Sequence, residues 1–183
     1  MQLHMNLSPE AWTKVRPVTL PSGYIMRTFR ESDRDSWIRL MGLAGFDGWS
    51  QEALKNALSI ALPDGVFFVE HGATRELVAT AMAGHKSTEL HPFGGELGWV
   101  AVSPLHRGKH LSAVLCIEVT RRLLAAGYRE IYLSTDDWRL PAIKTYLNLG
   151  YVPLLCASDM EERWRLAGKN LGIRFEDLGA RRI

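Results

Sequence analysis

The fold of this chain is decided within residues 96–153, where the sequence reads ELGWVAVSPLHRGKHLSAVLCIEVTRRLLAAGYREIYLSTDDWRLPAIKTYLNLGYVP. The pattern predicts a strand, a basic glycine-containing turn, a long helix, a second strand and a short helix. The long helix is predicted over residues 109–126, because leucine and valine recur at helical spacing and Gly127 suits the position after a last turn. Pro141 suits the first turn of the short helix, and Gly150 ends it.

Alternating residues before this stretch predict a first strand over residues 24–29 and a hairpin-like strand pair over residues 66–70 and 77–84. Between the first strand and this pair, helices are predicted over residues 31–41 and 50–58, the second with Ser50 as its N-cap, and residues 63–65 are predicted as a turn. A further helix is predicted over residues 160–171 and a last strand over residues 152–156. Strands followed by packed helices, with a strand–helix–strand crossover, indicate a mixed α/β sheet that is partly parallel. We expect an N-terminal extension over residues 1–20, one domain over residues 21–158, and a helical tail over residues 159–183 packed on that domain.

Composition excludes several classes of protein. Apolar residues make up 46% of the 183 residues and charged residues 23%, as in ordinary globular domains. A net charge of +2, with no basic block, argues against a nucleic-acid-binding protein. Apolar runs are too short to cross a membrane, and residues 1–10 lack the charged-then-apolar pattern of a secretory signal, so we expect none. The two cysteines lie in apparent core segments, so we expect a cytoplasmic protein without a metal.

The turn at residues 107–112 lies between a strand end and a helix start. Free backbone N–H groups and the positive end of a helix dipole meet at such a point, and they attract phosphate. Tyr146 lies on the helix that is expected to return beside this turn. An anion-binding turn followed by a proton donor indicates a cofactor with a pyrophosphate and a reactive end.

These residues resemble the GNAT superfamily of acyl-CoA-dependent N-acyltransferases. The family motif at the turn is Arg or Gln, two residues, Gly or Ala, one residue, and Gly or Ala; here Arg107 matches, while His110 and Ser112 depart. The second family motif, Ala-Ile-x-Leu-Tyr-x-x-x-Gly-Phe, corresponds to residues 142–151, AIKTYLNLGY. An Asn often precedes that alanine by three residues, where this chain has Arg139.

The resemblance implies a GNAT-like fold, with a six- to seven-stranded, mostly antiparallel sheet, a parallel central pair, about four flanking helices and a C-terminal helix. It implies acetyl-CoA as cosubstrate. The cofactor-binding residues are then Val100, Ala101, Val102, Arg107, Gly108, Lys109, His110, Leu111, Ser112 and Arg139. The family often closes its sheet with a strand near the C-terminus, whereas this chain shows a helical pattern there.

Acetyl transfer from a thioester to an amine requires proton removal from the amine and proton donation to the leaving thiol. Resemblance makes Tyr146 the thiol-side acid and Glu96 the first candidate base; Glu96 as a sheet-edge residue in solvent is the equal alternative. Asp136, His85 and His91 are the other candidate bases. Trp99 and Trp138 are expected either to line the acceptor pocket or to pack in the core.

The resulting prediction is an N-acetyltransferase that acts on a primary amine of a small molecule or peptide through a direct ternary complex. No cysteine lies in either motif, which argues against an acyl-enzyme route. A CoA-binding sensor or scaffold without transfer activity is the alternative, motivated by His110 and Ser112. The sequence is compatible with a homodimer and leaves the acceptor open, because pocket residues are expected from the loops at residues 42–49 and 85–94.

Overall fold

The computed structural model describes residues 1–182. Eight strands form one sheet: β1 (Leu3–Leu7), β2 (Tyr24–Thr28), β3 (Ala61–His71), β4 (Leu77–His85), β5 (Gly95–Val102), β6 (Ile131–Thr135), β7 (Tyr151–Leu155) and β8 (Arg181–Arg182). The helices are α1 (Pro9–Trp12), α2 (Arg34–Leu43), α3 (Gln51–Ile60), α4 (Leu111–Ala125), α5 (Leu140–Asn148) and α6 (Met160–Leu171). None of these helices is long and apolar enough to span a bilayer.

The sheet order is β2-β3-β4-β5-β6-β1-β7-β8. The first four strands of this order pair antiparallel, and the pairing of β3 with β4 confirms the predicted hairpin. Strands β5 and β6 are parallel, and so are β7 and β8. The mixed α/β fold that the sequence predicts is therefore confirmed, with eight strands instead of six or seven.

Residues 1–20 were expected to form only an extension against the domain, but they also contribute a strand to the sheet. Strand β1 lies inside the sheet and pairs antiparallel with both β6 and β7. Strands β6 and β7, which α5 connects, run in the same direction but are not neighbours, because β1 lies between them. Leu3 and Met5 are fully buried there. The alternation in Leu3-His4-Met5-Asn6-Leu7 is a period-two strand signal.

The C-terminal segment also contributes to the sheet. Helix α6 occupies the predicted bounds and packs on the same core through Trp164, which is fully buried. Gly172 ends the helix with a left-handed φ of 70°. The following chain reaches β8, a two-residue strand beside β7, where only a helical tail was expected.

Helices cover both faces of the sheet. The larger core cluster joins α4 to the sheet through residues such as Leu115, Val119 and Ala81. A second cluster joins α2 and α3 to the sheet through Trp37, Leu54, Phe68 and Met82. Strand β4 contributes to both clusters, which explains its nearly continuous burial. The predicted stop of α4 is confirmed, since Gly127 has a φ of 89°.

Candidate active site

Strands β5 and β6 diverge soon after they meet. Their parallel pairing covers only Gly95 with Ile131 and Glu96 with Tyr132. Beyond Glu96 the edge of β5 is no longer covered by β6, and a cleft opens between the two strands. An uncovered strand edge can pair with an extended ligand as an added strand would.

A bulge shapes β5 at this cleft. Thr80 faces Ala101 and Met82 faces Gly98, so one residue of β4 stands opposite both Trp99 and Val100. Trp99 has a φ of 52°, which is unusual for a bulky residue. Its ring packs against Trp49 at a centroid distance of 4.2 Å. The bulge breaks regular pairing at Val100 and re-aims the local backbone.

The turn before α4 presents a row of free amides. Within residues 1–182, the backbone N–H groups of residues 108–113 make no hydrogen bond to a main-chain or side-chain acceptor. Gly108 and His110 both have left-handed φ values, 76° and 59°, and these bend the chain into α4. Unpaired amides at the start of a fifteen-residue helix are suited to binding an anion.

A cavity of about 510 Å³ joins the turn to the edge of β5. Its wall contains every residue that the sequence assigned to the cofactor: Val100, Ala101, Val102, Arg107, Gly108, Lys109, His110, Leu111, Ser112 and Arg139. Tyr146 also lines it. The fold thus brings together on one surface residues from three separate parts of the chain.

A second cavity of about 290 Å³ lies in the cleft between β5 and β6. Polar side chains line it, and they belong to Gln2, Lys86, Glu96, Ser134, Thr135, Asp136 and Arg139. Phe46, Val100, Arg139, Ala142 and Tyr146 line both cavities. The two cavities therefore meet at these five residues, and a group held there is accessible from both sides.

This geometry agrees with the comparisons to known proteins. Residues 26–151 match the model of the family described as "Acetyltransferase (GNAT) family". The chain belongs to the GNAT acetyltransferase family.

Individual GNAT relatives are distant. The mycothiol acetyltransferase of Acidothermus cellulolyticus is 28% identical over 168 residues, which cover 80% of this chain and 50% of the relative. A GNAT-family acetyltransferase from Colwellia psychrerythraea has a TM-score of 0.64 at 14% identity, over 83% of this chain and 52% of that chain. The ribosomal-protein-S18-alanine N-acetyltransferase of Escherichia coli has a TM-score of 0.57 at 17% identity, over 69% of this chain and 76% of that chain.

The structural and the sequence similarities support different conclusions. The two structural likenesses show the GNAT fold. The chain spans about half the length of the curated relatives it matches.

Tyr146 is buried in this GNAT domain, yet it contributes to both cavities. Within the described residues its hydroxyl has no hydrogen-bond partner, and its ring meets Tyr151 edge-on at 6.3 Å. Burial raises the pKa of the Tyr146 phenol well above its ordinary value, and nearby Cys116 and Tyr151 act in the same direction. The phenol is therefore a protonated donor at neutral pH, with its hydroxyl free for a ligand.

Glu96 is not a solvent-facing residue at the sheet edge, which was the equal alternative from the sequence. It is only 6% exposed and lines the second cavity. Its Oε1 accepts a hydrogen bond from Lys86 Nζ at 3.1 Å. Within residues 1–182, no protein group donates to its Oε2, so this oxygen can accept a hydrogen bond from a ligand.

The other candidate bases lie in less suitable places. His91 is fully buried, paired with Glu130 at 2.7 Å and stacked on Tyr132, and it lines neither cavity. His85 pairs with the Tyr128 hydroxyl and is likewise outside both cavities. Asp136 does line the second cavity. Both of its oxygens are already engaged, one by Gln2 and one by Arg139.

The basic side chains of the turn point to protein partners. Lys109 Nζ donates to the Tyr24 hydroxyl at 2.8 Å, and Arg107 Nε donates to the Val102 carbonyl at 3.3 Å. His110 is exposed, and the structure records no side-chain cap from it on α4. Within residues 1–182, the amides of this turn and the Nη groups of Arg107 have no protein partner, so both are available to an anion.

We expect His110→Gly to stabilise the protein. His110 adopts a left-handed φ at a position where the family usually has glycine or alanine. Removing the Cβ should relieve strain that exceeds the entropic cost of glycine, giving a net gain of about 0.5–1 kcal/mol. The midpoint of urea unfolding should rise with an unchanged slope.

Lys109→Gly is the control for His110→Gly in the same turn, and it also removes the hydrogen bond from Lys109 Nζ to the Tyr24 hydroxyl. Lys109 lies in the same turn without a left-handed φ, so glycine there should only destabilise. Equal losses of stability in the two variants would show that His110 carries no strain.

Several residues that the fold brings to the cavities were not singled out in the sequence, among them Phe46, Lys86 and Gln2. Phe46 and Lys86 come from the two loops that were expected to supply pocket residues, although neither residue was named. Gln2 precedes β1 and reaches the second cavity because β1 lies beside β6. No local signal marks loop residues as ligand-binding, whereas the alternation of β1 was available in the sequence.

The two tryptophans divide between the expected roles. Trp99 lines the second cavity and also packs on the aromatic cluster of α2 and α3. Trp138 lines the first cavity and is 69% exposed, so the core-packing alternative is wrong for it. Within residues 1–182, no cluster of His, Cys, Asp or Glu has the grouping of a metal site.

Proposed function

We propose that this protein transfers an acetyl group from acetyl-CoA to the primary amine of a small molecule or peptide, by direct transfer in a ternary complex. The observation that carries the proposal is the shared cavity: free amides of residues 108–113 at one end, the Tyr146 hydroxyl at the other. The name of the Acidothermus cellulolyticus relative, an acetyltransferase, supports the same chemistry.

The hydrogen-bond donors that line the first cavity suit acetyl-CoA. Amides of residues 108–113 hold the diphosphate, and the helix dipole of α4 adds to their attraction. The uncovered edge of β5, at Val100 and Val102, pairs with the pantetheine arm. Gly108 leaves the approach open, since no atom of residues 1–182 other than its own and those of its chain neighbours lies within 4 Å of the place where a Cβ would stand.

The reaction forms a C–N bond and breaks a C–S bond, and one proton leaves the amine while one reaches sulfur. Glu96 Oε2 accepts the amine proton, directly or through a water, from the second cavity. The Val100 amide, displaced from regular pairing by the bulge, polarises the thioester carbonyl. Tyr146 donates its hydroxyl proton to the sulfur at the junction of the cavities.

A thiol-release assay with acetyl-CoA and a broad library of primary amines tests this function. We expect amine-dependent release of free CoA and formation of an N-acetylated product by mass spectrometry. Tight binding of acetyl-CoA without release across the library would contradict the proposal and favour the sensor or scaffold alternative.

Gly108→Val should weaken acetyl-CoA binding by about 10-fold or more, because a branched side chain would stand where the backbone meets the diphosphate. Isothermal titration calorimetry measures the affinity. Gly172→Val is the matched control: Gly172 also has a left-handed φ and open space, but it lies at the end of α6, outside both cavities. Unchanged affinity in Gly108→Val, once folding is verified, would rule out this placement of the diphosphate.

A further inference from the structure

The guanidinium of Arg139 lies where the two cavities meet. It lines both of them, and its side chain is 20% exposed. Arg139 is also the residue at which the chain departs from the second family motif, where an Asn is common. A half-buried arginine at the point where the two cavities meet can contact molecules bound in either of them.

Neighbouring side chains hold this guanidinium in place without using all of its donors. Its Cζ lies 4.3 Å from the ring centroid of Phe46 and 4.4 Å from that of Trp138. Its Nε donates to Asp136 Oδ2 at 2.9 Å. Within residues 1–182, no protein acceptor is in hydrogen-bond range of Nη1 or Nη2. The edge of the guanidinium that carries Nη1 and Nη2 is therefore free, and such an edge can bind a carboxylate in a bidentate manner.

The second cavity also offers a free acceptor of the opposite charge. In the described part of the chain Glu96 Oε2 has no donor, while Lys86 Nζ donates to Oε1 at 3.1 Å. The cavity wall therefore combines an unused carboxylate oxygen with unused guanidinium donors. Its volume of about 290 Å³ suits a small molecule that carries both charges.

We propose that the acceptor is a small zwitterion of the amino-acid class, whose carboxylate binds the Nη edge of Arg139 while its amine lies at Glu96. This inference rests on the proposed acetyl transfer and names its substrate class. It makes Arg139 a specificity-determining residue of the acceptor site and takes it out of the cofactor set that the sequence assigned.

Matched pairs of acceptors test the proposal on the unmodified protein. We would measure thiol release from acetyl-CoA with the proteinogenic L-amino acids and with the carboxamide of each. The carboxamide has the larger fraction of neutral, reactive amine near pH 7. Amine reactivity alone would therefore favour the carboxamide over the amino acid, which is the opposite of the expected result. We expect at least one amino acid to exceed its own carboxamide in kcat/KM by about 10-fold or more.

Variants of Arg139 assign that preference to one side chain. Arg139→Gln should lower kcat/KM for the preferred amino acid by about 30-fold, mainly through KM, and change kcat/KM for its carboxamide by less than about 3-fold. Arg139→Lys keeps the positive charge but loses the bidentate guanidinium. Its kcat/KM for the preferred amino acid should therefore lie between those of the unmodified protein and Arg139→Gln. Arg34→Gln is the control, since Arg34 pairs with Glu31 on the surface and lines neither cavity.

The possible failures are distinguishable. Turnover of amines and carboxamides that matches or exceeds that of amino acids would overturn this inference and leave the proposed function standing. An Arg139→Gln defect confined to acetyl-CoA affinity would return Arg139 to the cofactor. If Arg139 mattered for turnover only when succinyl-CoA replaced acetyl-CoA as the donor, the carboxylate that Arg139 binds would belong to the acyl group. That result would also overturn this inference. Absence of thiol release with every amine would overturn both proposals.

Discussion

Tyr146→Phe is expected to lower kcat by about 10²-fold or more while acetyl-CoA affinity stays within about 2-fold of the original. The hydroxyl is the only group that the substitution removes, and it has no protein partner in the described part of the chain. Its loss should therefore affect the leaving thiol more than binding or packing. Single-turnover kinetics and calorimetry with acetyl-CoA separate the two effects.

Tyr151→Phe provides the matched control for Tyr146→Phe. Tyr151 is equally buried and meets Tyr146 edge-on, but its hydroxyl pairs with Thr120 at 3.0 Å and lines neither cavity. This variant should lose about 1 kcal/mol of stability with little effect on kcat. If Tyr146→Phe lost binding and turnover in equal proportion, Tyr146 would be a packing residue.

The raised pKa of Tyr146 has a consequence for the pH profile. Burial favours the neutral phenol, so the group stays protonated above its ordinary pKa. Deprotonation of Tyr146 should then produce no fall in kcat below about pH 10. A fall in kcat at lower pH that disappears in Tyr146→Phe would contradict this environment.

Glu96→Gln is expected to lower kcat by about 10²-fold near neutral pH. The amide keeps the size of the side chain but cannot accept the proton of an ammonium. Because an alkyl amine becomes neutral by itself towards its pKa of about 10, the defect should shrink as the pH rises. The kcat of Glu96→Gln should thus rise more steeply with pH on the alkaline side than the kcat of the unmodified protein.

Two further variants identify the base. Asp136→Asn removes the other carboxylate of the second cavity, whose oxygens are engaged by Gln2 and Arg139. Glu130→Gln removes a carboxylate that lies outside both cavities and pairs with His91. Only Glu96→Gln should displace the pH profile. An undisplaced profile in that variant would remove Glu96 from the mechanism, and a displaced one in Asp136→Asn would transfer the role.

Local signals account for what could be predicted of the fold. Residues 160–171 were predicted as a helix and form α6 with the same bounds. Ser50 was predicted as a helix cap, and its hydroxyl accepts the Ala53 amide at 3.3 Å. Both features depend on residues close in sequence, whose periodicity and turn chemistry are readable without the tertiary structure.

The region around Pro63 shows how tertiary pairing changes a local prediction. A turn was expected there before the strand, but β3 begins at Ala61 and continues through an irregularity in its pairing with β4. Asp64 has a φ of 54° within this irregularity. The turn residues are present, yet pairing with β4 extends the strand across them.

The sequence by itself determined the order of elements from β2 to α6, the glycine-containing turn before α4 and the position of Tyr146 on a returning helix. These follow from hydrophobic period, glycine placement and motif spacing, all of which act over short distances along the chain. Only the tertiary structure decided that β1 lies between β6 and β7, that β5 and β6 diverge after Glu96, and that Arg139 meets Phe46 at the junction of the cavities. Each of these joins residues far apart in sequence, and strand pairing and packing across the whole domain determine which of them come into contact.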